Sequence, residues 1–383
     1  MIKVLFYTRD FFAGGAEKVL IEYLKAIDKE KFDVTLMVRR KEGGFSQQFE
    51  ALKKDGIKVR QCFDGMVGGR NVFSKAKNVL TLKLADWSEF RFPSLFYRLA
   101  IKEKYDAEIA FMHNESLSVI ASSNNKRSKK LVWIHTDLRK LTTWKQYFRT
   151  RKRQKRFIEQ FDHCICVSQC VADALYDLLK IKDNVSVIYN PIDRNRIISL
   201  SLETADIKKD GLRTVCAVGR LSWEKNFFML IEAHKDLIEQ GYKHRLYIVG
   251  DGPEKEKLQR QIQESAVEDT VVLAGFQQNP YPYIMASDFL VCSSVYEGLH
   301  VVSQEALVLG KPIVSCCKVV KETFGTRECG IITENTKDAL AEGIKRMLSD
   351  KELYESCLAE AKKRSEEYKE HLPHKQIEEL LSK

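Results

Sequence analysis

The stretch from Asp288 to Ser315 constrains the fold more than any other part of the chain. The apolar run Asp288 to Val291 reads as a buried strand, Tyr296-Glu297-Gly298 as a turn, and His300 to Leu309 as an amphipathic helix. Gly310 stands where a helix ends, and Pro312 opens the next strand, Ile313-Val314-Ser315. Strand, helix and strand in so short a span form a βαβ unit, and that unit needs a parallel sheet. Two carboxylates frame it. Glu297 sits in the strand-to-helix turn, and Glu305 lies about two helical turns later. Between them the first-turn N–H groups lack intrahelical partners and carry the positive end of the helix dipole, so an anion site lies beside a carboxylate.

The same alternation runs through the chain. Apolar runs at 2–7, 32–37, 57–59, 107–112, 130–134, 162–167 and 185–189 read as strands of a first half. Runs at 213–218, 246–249, 271–274, 322–325 and 330–333 join the central unit in a second. A chain of 383 residues exceeds one compact core. The fold class is therefore α/β, with two doubly wound Rossmann-like domains. The boundary is set at Asn190-Pro191-Ile192-Asp193, followed by a polar linker from Arg194 to Gly211. The domains are expected at 1–193 and 194–355, followed by a charged C-terminal helix, 356–383. Residues 64–75, with Gly65, Gly68 and Gly69, read as a mobile loop, and 82–104 as helix interrupted at Pro93.

The net charge of +10 is uneven. Residues 1–193 hold 36 Lys and Arg against 23 Asp and Glu, whereas 194–383 hold 27 against 30. The basic excess is densest at Lys126–Lys130 and Lys145–Arg156, where it alternates with Trp144, Tyr147, Phe148 and Phe157. Such a face suits an anionic membrane surface or, as an alternative, nothing more than solvent; no nucleic-acid partner is expected. Ile2–Tyr7 meets charge at Arg9 and reads as a strand instead of a leader, and no apolar run approaches a membrane span. A cytoplasmic protein, with a place at the inner face of the membrane, is expected. The ten cysteines lack metal spacing and read as reduced core thiols.

Residues at strand ends carry the chemistry, because open α/β sheets bind ligands there. His135 follows the strand ending at Ile134, with Asp137 placed either to orient its imidazole or to cap a helix. Gly14 and Gly15 form a turn that lets a ligand approach the backbone, without the third glycine of a dinucleotide fingerprint. Gly219-Arg220-Leu221-Ser222-Trp223-Glu224-Lys225 follows another strand. Arg220 and Lys225 offer a guanidinium fork and a point charge for an anionic leaving group. No Asp-x-Asp occurs, so no metal and no cofactor are expected.

Taken together, Glu297 and Glu305 with Gly310-Lys311-Pro312, the Gly219–Asn226 segment, Gly250-Asp251-Gly252-Pro253, Asn190-Pro191-Ile192-Asp193 and Trp133–Asp137 resemble the retaining GT-B glycosyltransferases of family 4, also called glycosyl transferases group 1. The resemblance implies two domains facing across a cleft, the first for the acceptor and the second for the donor, with the C-terminal helix, 356–383, crossing back to the first. It further implies a nucleotide-sugar donor, most simply UDP-linked, and a glycan or lipid-linked acceptor of bacterial surface polysaccharide synthesis. Catalysis would fall to Glu297, His135, Arg220 and Lys225. The donor would also meet Gly14, Gly15, Leu299, His300, Val301, Glu305 and Phe276. His300 departs from the Pro, Gly or Ser of many relatives, which leaves the sugar open. The alternatives are another enzyme of this fold, an epimerase or a phosphorylase, and a non-enzymatic anion-binding protein.

Overall fold

The structure, a computed structural model, describes residues 1–9, 14–39, 46–62, 83, 87–89 and 91–382. The glycine loop 64–75, Phe12, Ala13 and most of the stretch 82–90 lie outside the described residues. The chain divides into two compact units, Met1–Pro191 with Leu372–Lys383, and Ile192–His371.

The first unit holds β1 (Ile2–Thr8), β2 (Phe32–Val38), β3 (Lys58–Gln61), β4 (Ala107–Ala110), β5 (Lys129–Ile134), β6 (His163–Cys166) and β7 (Val185–Val187). They form a seven-stranded sheet in the order β3-β2-β1-β4-β5-β6-β7, parallel throughout. Helices cover both faces of such a sheet, which is why β1 buries Val4, Leu5, Phe6 and Tyr7 without alternation. The helix Gly15–Ala26 returns its apolar stripe, Val19, Leu20, Tyr23 and Leu24, to the core. Ser168 caps the helix Gln169–Leu179, its hydroxyl accepting from the Val171 N–H at 3.2 Å. The direction of winding reverses between β1 and β4.

The second unit repeats the plan with β8 (Arg213–Val218), β9 (His244–Val249), β10 (Val271–Gly275), β11 (Phe289–Cys292), β12 (Ile313–Ser315) and β13 (Gly330–Ile332). Their order is β10-β9-β8-β11-β12-β13, again parallel, with the reversal between β8 and β11. The helix Val301–Val308 stops at Gly310, whose φ of +66° only glycine adopts freely. Lys311 N–H reaches Ala306 O and Gly310 N–H reaches Leu307 O, both at 2.9 Å, which is a Schellman ending. Gly250, at φ +152°, is equally constrained: a Cβ there would lie 1.9 Å from the Gly219 carbonyl oxygen. The loops after β8 and β9 therefore pack backbone to backbone.

Four expectations change. The linker carries a helix, Arg194–Ser201, because the Asp193 carboxylate accepts from the Arg196 N–H at 2.9 Å and caps it. Residues 322–325 are not strand; they end the helix Val320–Phe324, and Gly330–Ile332 alone joins the sheet. The charged helix Lys351–Glu367 stays on the second unit, where Arg364 Nε donates to Thr323 O at 2.9 Å. The return is made by the shorter helix Pro373–Ser382, whose Glu378 accepts from the Asp28 N–H at 2.9 Å. Asp137, finally, belongs to Arg139, with Nε–Oδ1 at 2.9 Å.

Candidate active site

In doubly wound sheets the loops at the winding reversal diverge and leave a crevice at the carboxyl ends of the strands. In the second unit these are the loops after β8 and β11, which carry Arg220 and Lys225, and Glu297 and His300. Lys225 Nζ pairs with Glu297 Oε1 although 72 residues separate them. Three further bonds fix this pairing. Ser294 Oγ donates to Glu297 at 2.6 Å, Ser293 Oγ donates to the Lys225 carbonyl at 2.7 Å, and Val295 N–H donates to the Glu224 carbonyl at 2.8 Å. Trp223 leans on Tyr296, ring centroids 5.8 Å apart.

The charges hold each other in place. Burial opposes ionisation of Glu297, but the Lys225 ammonium overrides it and keeps the carboxyl below its ordinary range. Burial likewise opposes the Lys225 charge, and Glu297 restores it above its ordinary value. Arg220 is exposed and has no ion-pair partner among the described residues. A fixed carboxylate–ammonium pair, with a further guanidinium on the same loop after β8, offers groups for hydroxyls and phosphate oxygens.

About one turn into the helix Val301–Val308, Glu305 is 3% exposed. Tyr281 donates its hydroxyl to Glu305 Oε1 at 3.1 Å, and Oε2 is buried with no hydrogen-bond partner among the described residues. A buried carboxylate oxygen without a donor is costly, and a bound polyol would satisfy it. Leu299 is buried and Val301 half-buried beside the helix start, and the Phe276 ring, after β10, is 64% exposed. Tyr281, Ser294 and Trp223 were not anticipated. Tyr281 leaves no sequence signal, whereas Ser294 could have been found as the hydroxyl nearest Glu297.

The first unit has its own reversal, between β1 and β4, where Gly14 and Gly15 follow β1 and His113 follows β4. At Gly14 a Cβ would meet only the end of the flexible Glu17 side chain, Oε2 at 2.4 Å, so a substitution there would displace that carboxylate. His135 ends β5, next to β4, and its N–H points at His113 Nδ1, 3.5 Å away. Phe111 lies 4.6 Å from the His135 ring and Trp133 lies nearly parallel to it at 6.2 Å. Burial pulls His113 down to about 4 and His135 down to about 3, with the neighbouring imidazole adding to the second. Both are neutral at physiological pH. The Phe111 backbone engages one nitrogen of His135, and Nε2 is buried without a partner among the described residues. His113 could have been found by the reasoning that found His135, since it too follows a strand.

A separate groove of about 420 Å³ in this unit is lined by Lys83, Arg91, Arg149 and Arg153 with Trp87 and Tyr147. Arg149 adopts φ +61° between the helices Trp144–Phe148 and Arg151–Ile158, so the basic stretch is two short helices and not one. No helix among the described residues is long and apolar enough to cross a membrane.

The family model for glycosyl transferases group 1 matches residues 203–364, and that for glycosyltransferase family 4 matches 13–196. Among curated proteins, the Campylobacter jejuni N-acetylgalactosamine-N,N'-diacetylbacillosaminyl-diphospho-undecaprenol 4-alpha-N-acetylgalactosaminyltransferase is 32% identical over 185 residues, 48% of this chain and 49% of that protein. The chain thus spans about half the length, or less, of the first curated relatives it matches. An uncharacterized glycosyltransferase of Haemophilus influenzae is 24% identical over 364 residues, 93% of each chain. The crystal structure of Anabaena HepE with UDP and glucose superposes over the full length of both chains with a TM-score of 0.75 at 21% identity. Two parallel-sheet units, the charged pair at the β8/β11 reversal and these matches agree: the chain belongs to the group 1 and family 4 glycosyltransferases and has their GT-B fold of two Rossmann-like domains.

Proposed function

We propose that the protein transfers a sugar from a UDP-linked donor to a hydroxyl of a glycan or lipid-linked acceptor, with retention of configuration, in the assembly of a surface polysaccharide or glycolipid. The observation that carries this reading is the ion pair of Lys225 with Glu297, beside unpaired Arg220 and the unsatisfied Oε2 of Glu305. The Glu305 oxygen accepts from the ribose hydroxyls, and Phe276 offers a face to the base. Glu297 accepts from the sugar hydroxyls, with Leu299, His300 and Val301 bordering them. As the glycosidic bond breaks, charge grows on the diphosphate, and Arg220 and Lys225 stabilise it. These two cations supply the charge a metal would bring, so no metal is assigned to catalysis.

In the first unit, His135 stays neutral. With one nitrogen on the Phe111 backbone, Nε2 is the acceptor left for a sugar hydroxyl. Gly14 and Gly15 admit a substrate close to the backbone. The acceptor class rests on the groove of Lys83, Arg91, Arg149 and Arg153, whose charge suits a phosphate and whose rings suit a lipid-water boundary. The Campylobacter jejuni relative is named for a diphospho-undecaprenol acceptor, and the HepE structure contains UDP and glucose. Such a protein would work on the cytoplasmic face of the membrane.

The test is thermal stability against UDP, GDP, ADP and their sugars. A ligand at about 100 times its dissociation constant adds roughly 2.7 kcal/mol. UDP should raise the melting temperature by a few degrees, and Glu305→Ala should abolish the rise. No shift with any nucleotide, alongside binding to anionic vesicles, would replace this reading with the non-enzymatic one.

A further inference from the structure

Beside the ion pair, three side chains of the second unit converge that sugar transfer does not require as a set. Cys292 Sγ, a His300 ring nitrogen and a Glu297 carboxylate oxygen all lie within 4.8 Å of one another. Cys292 ends β11, Glu297 closes the following turn, and His300 sits at the N-cap of the helix Val301–Val308. Both Cys292 and His300 are buried, 3% and 4% exposed. His300 Nδ1 is held by Ser303 Oγ at 2.6 Å, which leaves Nε2 as the nitrogen for the cluster.

We propose that Cys292, His300 and Glu297 form a binding site for a soft divalent cation of the zinc class, which occupies the place of the Lys225 ammonium on Glu297. Thiolate, imidazole and carboxylate are the donors such an ion prefers, whereas magnesium and calcium take oxygen. The supporting bonds are those of a metal site: Ser303 fixes the imidazole through its other nitrogen, and Ser294 Oγ holds the carboxylate. Zinc–ligand bonds of about 2.0–2.3 Å put the ligand atoms of a tetrahedral site about 3.5 Å apart. The cluster must contract by roughly 1 Å and release Lys225. Binding expels the thiol proton to solvent. Because the ion takes the Glu297 oxygen and displaces a cation assigned to the diphosphate, it excludes the donor. That consequence rests on the donor-site reading above; the metal site itself does not.

The experiment is a Co2+ titration of the reduced, chelator-stripped full chain, followed by near-ultraviolet thiolate-to-cobalt charge transfer. One equivalent should give the band, Zn2+ should displace it, and Mg2+ should not. Cys292→Ser and His300→Gln should each weaken binding by more than the ~10–100-fold that loss of an outer partner costs. Melting temperatures confirm that both variants fold. Lys225→Met, which frees Glu297, should tighten it. Absence of a band, or a band that survives Cys292→Ser, overturns the site. UDP should weaken Co2+ binding in proportion to its own affinity, and Zn2+ should inhibit transfer by the wild type but not by Cys292→Ser. UDP stabilisation of the metal-free chain is read separately: if it is absent while the band is present and ligand-dependent, the donor reading falls and the metal site stands.

Discussion

The two units place their candidate residues at the same topological position and furnish it with opposite chemistry. At the β8/β11 reversal the groups are charged and locked, Lys225 on Glu297 with Arg220 nearby. At the β1/β4 reversal and the adjoining end of β5 they are two neutral imidazoles packed against Phe111 and Trp133. A buried charge persists only with a partner, so a site for anions is built in pairs and reads as charged residues in sequence. A site for hydroxyls needs only aimed acceptors, and burial alone keeps a histidine neutral. The fold thus supplies two crevices, one furnished with fixed charges and the other with neutral acceptors.

The sharpest way to break this comparison is to remove the charged side. Lys225→Ala leaves the Glu297 carboxylate uncompensated and removes one cation from the leaving group. Loss of a charge-stabilising group typically costs about 10²–10³ in turnover. A fall in melting temperature should accompany it, because the pair is only 19% and 15% exposed. Arg220→Ala should cost a similar factor in turnover with no change in melting temperature, since Arg220 is exposed and unpaired among the described residues. Normal turnover in either variant, measured as UDP release, would remove the diphosphate from this crevice.

The next effect falls on the neutral side and is read by pH. His113 and His135 in the first unit, and His234 and His244 in the second, all have pKa values lowered by burial, His234 to about 2. His234 and His244 bond each other at 2.9 Å and lie in the core, away from the reversal. Their unfolded value is about 6.5, so below it the unfolded chain binds more protons and stability falls with pH. With folded values of about 4 and about 3, His113 and His135 each cost about 1.0 kcal/mol between pH 6.5 and 5.5, or about 2 kcal/mol together, and His234 and His244 act in the same direction. His300, raised by Cys292 and Glu297 against its own burial, works the other way: its contribution is whole below pH 6.5 and is lost as pH rises through its folded value. Denaturation at pH 7.0 and 5.5 should therefore show a marked drop. A flat profile would mean that these imidazoles are charged in the folded protein and that the first crevice is not neutral.

How far these crevices were legible in the sequence follows from how they are built. Glu297, Arg220 and Lys225 each follow a strong apolar strand within a few residues, so strand reading alone puts them at strand ends, and Glu305 follows from its spacing along the next helix. What the sequence could not supply is strand order. That β8 lies against β11, bringing Lys225 to Glu297, depends on packing across the whole unit. His113 follows β4 as His135 follows β5, but that the two meet depends on β4 and β5 being neighbours. The Cys292–His300 proximity was hidden for a different reason: a buried cysteine in a strand is ordinary, and only the turn geometry brings the ring back over it. The helix Arg194–Ser201 was missed because its polar composition reads as linker, and one cap at Asp193 decides the matter.

The smallest effect tests whether the charged crevice extends to Glu305. Tyr281→Phe removes one hydrogen bond to Oε1 and almost no volume. Oε2 already lacks a partner, so the variant leaves both oxygens of a buried carboxylate without a donor in the free protein. The net worth of such a bond to a charged group is about 1.5–3 kcal/mol at most, and part returns when a ribose supplies hydroxyls. Two consequences separate. The free protein should lose about 1 kcal/mol of stability, and added UDP should recover most of it. The Michaelis constant for the donor should change less than fivefold, because the carboxylate becomes freer to accept from the ribose as it loses the phenol that aimed it. A change in turnover without a change in stability would point elsewhere: Glu305 would then be acting on the reacting sugar and not on the nucleotide, and the division of labour between the two crevices would have to be redrawn.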